Sequence, residues 1–351
     1  MDMNIKFLAV SIAAAACSTH VFAAEIYNSE GTTLALGGYV DVGVGEKGAD
    51  DDVEVHSYSP RLNISGMKTL DNGMTVDAKG EWSINYLDGG KNTFSTRLGY
   101  IGVTDEMLGR MVVGTQWSPY YDVGGVADMP IAFANDFLYA DHYFVGSARA
   151  DKMVSYRNSM MLTDDVEVRL GLGWQGKNTD KGKADGKDSR MQAALSIEAM
   201  GVTLGAAFSD GKVNINASEK KSAESTIFSL NYGSYGEGIY LAGVYGTNEY
   251  FGSLAATDPN AAFTKVYSKE TKQMEALAAY GMDNGLNLSV HYERVDNEET
   301  SKKVYSNTSI NAEYELAAGF VAVAGYKIDL GDDDPTTEDD NKWTVGMRYY
   351  F

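Results

Sequence analysis

Over most of its length the chain alternates apolar side chains with polar or small ones at a period of two residues. Val166, Val168, Leu170, Leu172 and Trp174 interleave with Glu167, Arg169, Gly171, Gly173 and Gln175. Val76, Ala78, Gly80, Trp82, Ile84 and Tyr86 likewise face away from Asp77, Lys79, Glu81, Ser83 and Asn85. The same split runs from Leu286 to Glu293 and from Trp343 to Phe351, the last residue. Such a pattern specifies strands with one apolar and one polar face. A soluble sandwich would also satisfy it, so the period alone does not choose the architecture.

The connections narrow the choice. Short turns such as Asp71-Asn72-Gly73, Thr163-Asp164-Asp165, Met200-Gly201 and Asp283-Asn284-Gly285 alternate with long, mostly polar segments. The long ones are EKGADDDVEVH, LDGGKN, the stretch 122–150, GKNTDKGKADGKDS, SDGKVNINASEKKSAES, 247–272, VDNEETSKK and GDDDPTTEDDNK. About seven short turns and about eight long loops, strictly interleaved, imply about sixteen strands with turns on one rim and loops on the other. Aromatics stand near the ends of the apolar series (Trp82, Tyr86, Trp174, Tyr292, Trp343, Tyr349), as expected at a bilayer–water boundary. The expected fold is all-β, a transmembrane antiparallel barrel. A closed barrel pairs every backbone group, as lipid requires. At this size side chains cannot fill the interior, so a water-filled lumen remains.

Composition and the first residues set the compartment. A formal charge of -20 over 351 residues makes nucleic acid an improbable partner, since phosphate recognition needs a basic face. Lys6, the apolar run 7–16 and Val21-Phe22-Ala23 come in the order of a secretory signal. Residues 1–23 are read as that signal and 24–351 as one barrel domain. The single cysteine, Cys17, lies inside the signal, so the exported chain has no thiol chemistry. No later stretch reaches the length of a membrane helix.

Particular segments resemble the Gram-negative general diffusion porins: AEIYNSEGTTLALGGYVDVG, SPRLNISGMKTLDNGMT, GEWSINY, TRLGYIGV, GTQW with YYDVGG, YFVGSARADKMVSYRNS and the terminal RYYF. The resemblance is densest from Ala24 to about Ser159. It implies an outer-membrane homotrimer of sixteen-stranded barrels, with the third long loop folded into the lumen to form a constriction. On that likeness, Arg61 and Arg97 match two basic wall residues, and the third falls at Arg149 or at Ser147. Asp128 matches an acid of the loop, and Phe351 matches the aromatic assembly signal. Two positions depart from the pattern. Tyr39 stands where a basic residue is common, and Ile131 where the family has Glu. Asp136 remains a candidate acid, and the transverse field is expected to be weaker or carried by other charges. LDGGKN is shorter than the loop that latches neighbouring subunits in the family.

Strand parity also allows Lys79, Arg169, Lys327 and Arg348 on the luminal face, because a charge on the lipid face costs about 2–4 kcal/mol at mid-membrane. The acidic runs at 50–54 and 332–340 can bridge cations to lipopolysaccharide, or are simply solvated; neither has calcium-loop spacing. His56, His142 and His291 are scattered with no metal-binding spacing, and no nucleophile elbow occurs. His291 with Glu293 is the one pair a barrel enzyme could use. The chain is therefore expected to be no enzyme and to need no cofactor or metal. The expected activity is passive diffusion of ions and small hydrophilic solutes, mildly cation-selective. A solute-preferring channel, an adhesion barrel and a barrel enzyme are the alternatives.

Overall fold

The computed structural model describes residues 23–46, 52–89, 94–140, 142–179, 186–215, 219–252, 255–256, 265–266, 268–331 and 341–351. The expected signal (except the backbone of Ala23), the acidic residues 332–340, Asp50 and Asp51 lie outside them.

Sixteen strands close into an antiparallel barrel. They are β1 Thr32–Glu46, β2 Arg61–Thr69, β3 Thr75–Ile84, β4 Phe94–Asp105, β5 Gly109–Trp117, β6 Arg149–Thr163, β7 Val166–Gln175 and β8 Arg190–Ala199. The second half comprises β9 Val202–Asn214, β10 Lys220–Ser234, β11 Glu237–Glu249, β12 Glu270–Gly281, β13 Leu286–Asn297, β14 Lys302–Ala317, β15 Phe320–Asp329 and β16 Lys342–Tyr350. Each pairs with its sequence neighbours, and β1 pairs with β16 from Tyr39↔Tyr350 to Glu46↔Trp343.

The burial pattern is that of a soluble protein turned inside out. In β8, Gln192 and Ser196 are buried, whereas Leu195 and Ile197 remain 45% and 43% exposed on the outer wall. Only a lipid exterior makes that arrangement favourable. A soluble-type core lies inside the barrel, where Tyr120, Val123, Leu138 and Val145 of the third loop pack against Ile227, Val295 and Phe251. Each such side chain contributes about 1.5–3 kcal/mol on full burial.

One long polar stretch is not what its composition suggests. SDGKVNINASEKKSAES reads as a loop, yet β9 and β10 pair continuously out to Asn214↔Lys220. Its inward residues Ser209, Gly211, Val213, Ala223 and Ser225 stay buried, but the outward ones, Asp210, Lys212 and Ser222, are polar. The alternation of hydrophobicity that marks a strand is therefore lost while the alternation of burial persists.

The ends of the chain close the seam. Phe351 exchanges two backbone hydrogen bonds of 3.1 Å with Gly38, and Ala23 pairs with Gly37 at the next position. Segment Ala23–Ser29 thus continues the line of β16 along β1. Gly38 has φ +152°, and a Cβ there would lie 2.2 Å from the Arg61 carbonyl oxygen, so no other residue fits. Deleting Phe351 removes both bonds and is expected to reduce the yield of heat-resistant folded barrel severely. Gel mobility with and without heating measures this, and a wild-type yield would contradict it.

Candidate functional site

Why the third loop turns inward is visible in the strands beneath it. Its neck is closed by Ser118 N–H donating to the Ala148 carbonyl at 2.9 Å. Arg157 of β6 grips Asp122 with two hydrogen bonds, 2.7 and 3.1 Å, and also donates to the Trp117 carbonyl. Past this neck come a helical turn, Tyr121–Gly124, and a 3-10 turn, Gly125–Ala127. Pro119 lies on Gly171 and Gly173 of β7, and Val123 on Gly205 of β9; a Cβ at any of these glycines would crowd the loop, at 3.0 to 3.2 Å. The small residues on the luminal face of these strands are therefore the bed of the loop.

The stretch DMPIAFANDF then runs along β13 to β15. Ile131 N–H donates to Glu313 at 2.7 Å, and Ser309 donates to the Phe133 carbonyl at 3.0 Å. Asp136 and Phe137 N–H groups both donate to Glu293, at 3.1 and 2.8 Å. Phe133 holds a left-handed φ of 50°, uncommon for a bulky residue. Its ring sits against Gly325, where a Cβ would come within 3.0 Å. Phe137 is fully buried, while Ile131 and Phe133 are half-buried. Apolar anchors and wall carboxylates thus share the task of holding the tip.

The expected acids take different places. Asp136 is exposed to the lumen and pairs with Lys327 of β15 at 3.3 Å. Asp128 accepts hydrogen bonds from the Tyr121 and Tyr139 hydroxyls, 2.7 and 2.6 Å. Its carboxylate is therefore occupied by tyrosines of its own loop. Burial pushes the Asp128 carboxyl up to about 6, against the pull of those donors. Ile131 brings no charge, but its amide uses Glu313 of the wall.

Across the lumen, Arg61 of β2, Lys79 of β3 and Arg97 of β4 converge on one carboxylate that the sequence reading did not single out, Glu81. The separations are 3.6, 3.4 and 2.9 Å. Parity placed Glu81 on the luminal face beside Lys79, which was the available signal. Its partnership with Arg61 and Arg97 needs the register of three strands. The Ser59 hydroxyl accepts from Arg61 at 3.0 Å and from Arg97 at 3.4 Å. Tyr39 places its ring 4.6 Å from the Arg61 guanidinium and 4.1 Å from that of Arg348, a cation–π bridge between first-strand neighbours. Arg348 itself is buried and pairs with Asp41 at 3.0 Å.

Arg149 is the buried wall residue at the end of the loop; Ser147 instead donates to the Leu138 carbonyl at 2.5 Å. The Arg149 guanidinium lies 5.2 to 5.7 Å from the rings of Tyr143, Trp117 and Tyr139. It donates to His142 Nε2 at 3.1 Å, while His142 Nδ1 faces the Tyr139 carbonyl at 2.9 Å. Burial, with the charges of Arg149 and Arg97, holds His142 down to about 4, so the ring is neutral and can accept that bond. Arg169 stands apart from this group, paired with Glu167 and Glu198. His291 is buried in the wall near the tip, and Glu293 is committed to the loop amides and to the Tyr305 hydroxyl. Among the described residues no cluster of His, Cys, Asp and Glu could hold a metal ion.

The site thus brings together cations and tyrosines on the wall of β16 and β1 to β4, and a loop tip whose Asp136 pairs with Lys327. A family model described as Gram-negative porin matches residues 9–351. Outer membrane protein Omp-EA of Erwinia amylovora is 27% identical over 391 aligned residues, covering 99% of this chain and all of that one. Outer membrane porin OmpD of Salmonella typhimurium is 27% identical, covering 100% of this chain and 97% of its own. Among solved structures, Salmonella typhi OmpF in complex with daunomycin superposes with a TM-score of 0.75 at 20% identity, over 93% of this chain and all of that one. An anion-selective porin from Comamonas acidovorans gives 0.70 at 14% identity, over 91% of this chain and all of that one.

Proposed function

The chain belongs to the Gram-negative porins, and from that premise we propose that its barrel is a passive, mildly cation-selective channel for ions and small hydrophilic solutes. It is an outer-membrane protein, and its relatives are channels rather than enzymes. The observation that carries the reading is the charged passage itself. Arg61, Lys79, Arg97 and Arg149 line one side and the exposed Asp136 stands on the loop, with no covalent chemistry between them. Opposed charges across a narrow aqueous gap orient water and dipolar solutes and sort ions by sign and size.

Cation preference rests on the net charge of -20 and on acids that offset the basic wall, Glu81 and Asp41. A high net charge raises the local concentration of counter-ions at a channel mouth. A planar bilayer recording under a KCl gradient is expected to show stepwise conductance and a reversal potential of cationic sign. An anionic sign would refute the selectivity, and absence of steps the channel. A solute-preferring variant of this reading is favoured by one feature, the Tyr39 ring held between two guanidinium groups. Assembly as a homotrimer, contact with lipopolysaccharide and removal of residues 1–23 complete the proposal. OmpT of Vibrio cholerae, whose fold this chain shares with a TM-score of 0.61, has a solved trimer form.

A further inference from the structure

We propose that Glu81 is the residue that sets the ionic selectivity of the passage, acting as a buried counter-ion behind three wall cations. The inference rests on the channel reading above. Three adjacent strands each contribute one cation, and all three meet the same carboxylate. The order of exposure gives the arrangement its sense. The Glu81 side chain is 5% exposed, Arg97 11%, Arg61 20% and Lys79 28%. The acid therefore lies at the base of the group and the cations lie between it and the water.

Two consequences follow. First, Glu81 removes one unit from a wall that would otherwise present three positive charges to permeating ions. In a narrow gap with low-dielectric walls a single unit weighs heavily, because screening by salt is poor there. Second, it fixes where the cations stand. Glu81 Oε1 accepts Arg97 Nε at 2.9 Å and lies 3.6 Å from an Arg61 nitrogen, while Oε2 faces Lys79 at 3.4 Å. With Ser59 accepting from both guanidinium groups, the two arginines are held against the wall rather than extended across the passage. Charge-assisted bonds of this kind are short and directional. Without the carboxylate, mutual repulsion would drive the three side chains toward the water.

The test is the reversal potential of Glu81→Gln in a planar bilayer under a KCl gradient, beside wild type, Lys79→Gln and the double variant Lys79→Gln/Glu81→Gln. Glu81→Gln is expected to lower the cation-to-anion permeability ratio by roughly twofold or more, with reduced conductance. Lys79→Gln is expected to move the potential in the opposite direction. The double variant restores the net charge and is expected to return close to wild type, a result that loss of positioning alone would not produce. Conducting Glu81→Gln barrels with an unchanged potential would overturn the role of Glu81 and leave the channel reading standing. Failure of wild type to conduct would instead refute the channel reading. If Glu81→Gln does not assemble, the double variant decides the matter: a potential equal to that of Lys79→Gln alone would overturn the proposal.

Discussion

Glu293→Ala is expected to free the tip of the third loop and to raise single-channel conductance and solute cut-off together. The carboxylate of Glu293 accepts the Phe137 amide at 2.8 Å, the Asp136 amide at 3.1 Å and the Tyr305 hydroxyl at 3.0 Å. Glu293 is fully buried, so truncation strands three donors beneath the loop. Each unsatisfied buried group costs about 1–3 kcal/mol, and water admitted from the lumen recovers part of this. The remaining anchors of the tip, the bonds from Ile131 to Glu313 and from Ser309 to Phe133, the Asp136–Lys327 pair and the buried Phe137 ring, are then expected to hold it more loosely against the wall. Glu293→Gln keeps an acceptor oxygen and should have a smaller effect. Conductance and sugar-permeation rates identical to wild type in Glu293→Ala would show that the apolar anchors hold the loop unaided.

The second large effect is expected at the seam. Asp41→Ala should abolish, or nearly abolish, the heat-resistant barrel. Asp41 lies on β1 directly opposite Arg348 on β16, the pair that joins the first strand to the last. Its carboxylate is fully buried, accepts Arg348 Nε at 3.1 Å and also accepts the Tyr58 amide at 2.9 Å and the Ser59 amide at 3.3 Å. Removing it leaves a buried guanidinium with no carboxylate, a change that costs about 3–5 kcal/mol. It also releases the 57–60 segment that carries Ser59 beneath the wall arginines. Arg348 retains the Tyr39 ring, which is a weaker partner than an ion pair. Replacing both members, Asp41→Asn with Arg348→Gln, should recover much of the stability, since no uncompensated charge then remains. Gel mobility and thermal melting in detergent read the outcome. An Asp41→Ala barrel that melts with wild type would refute this account of the seam.

The architecture was legible in the sequence to an unusual depth. A strand exposes its pattern directly, because one face meets lipid and the other water, and the turn and loop lengths then count the strands. The limits of that reading are physical. Residues 209–225 hid their strands because their outward face carries Asp210, Lys212 and Ser222 in place of apolar residues, although the inward face stays buried. Their pairing out to Asn214 shows in the register alone. Glycines 171, 173 and 205 read only as small strand residues until the loop was seen lying on them.

For the site, residue type and face were readable, but partnership was not. Alternation placed Arg61, Lys79, Arg97 and Glu81 on one luminal surface. It said nothing of their meeting, which depends on the offset between three strands. Asp128 and Asp136 looked equivalent in the sequence. The path of the loop turned one toward tyrosine hydroxyls and the other toward Lys327. By itself, then, the sequence determined a closed barrel, its orientation of faces and the chemical kind of its lumen, because those follow from local periodicity and solvent. Tertiary structure alone decided which charges cancel and which face the water, because a charge is worth what lies within a few ångströms of it.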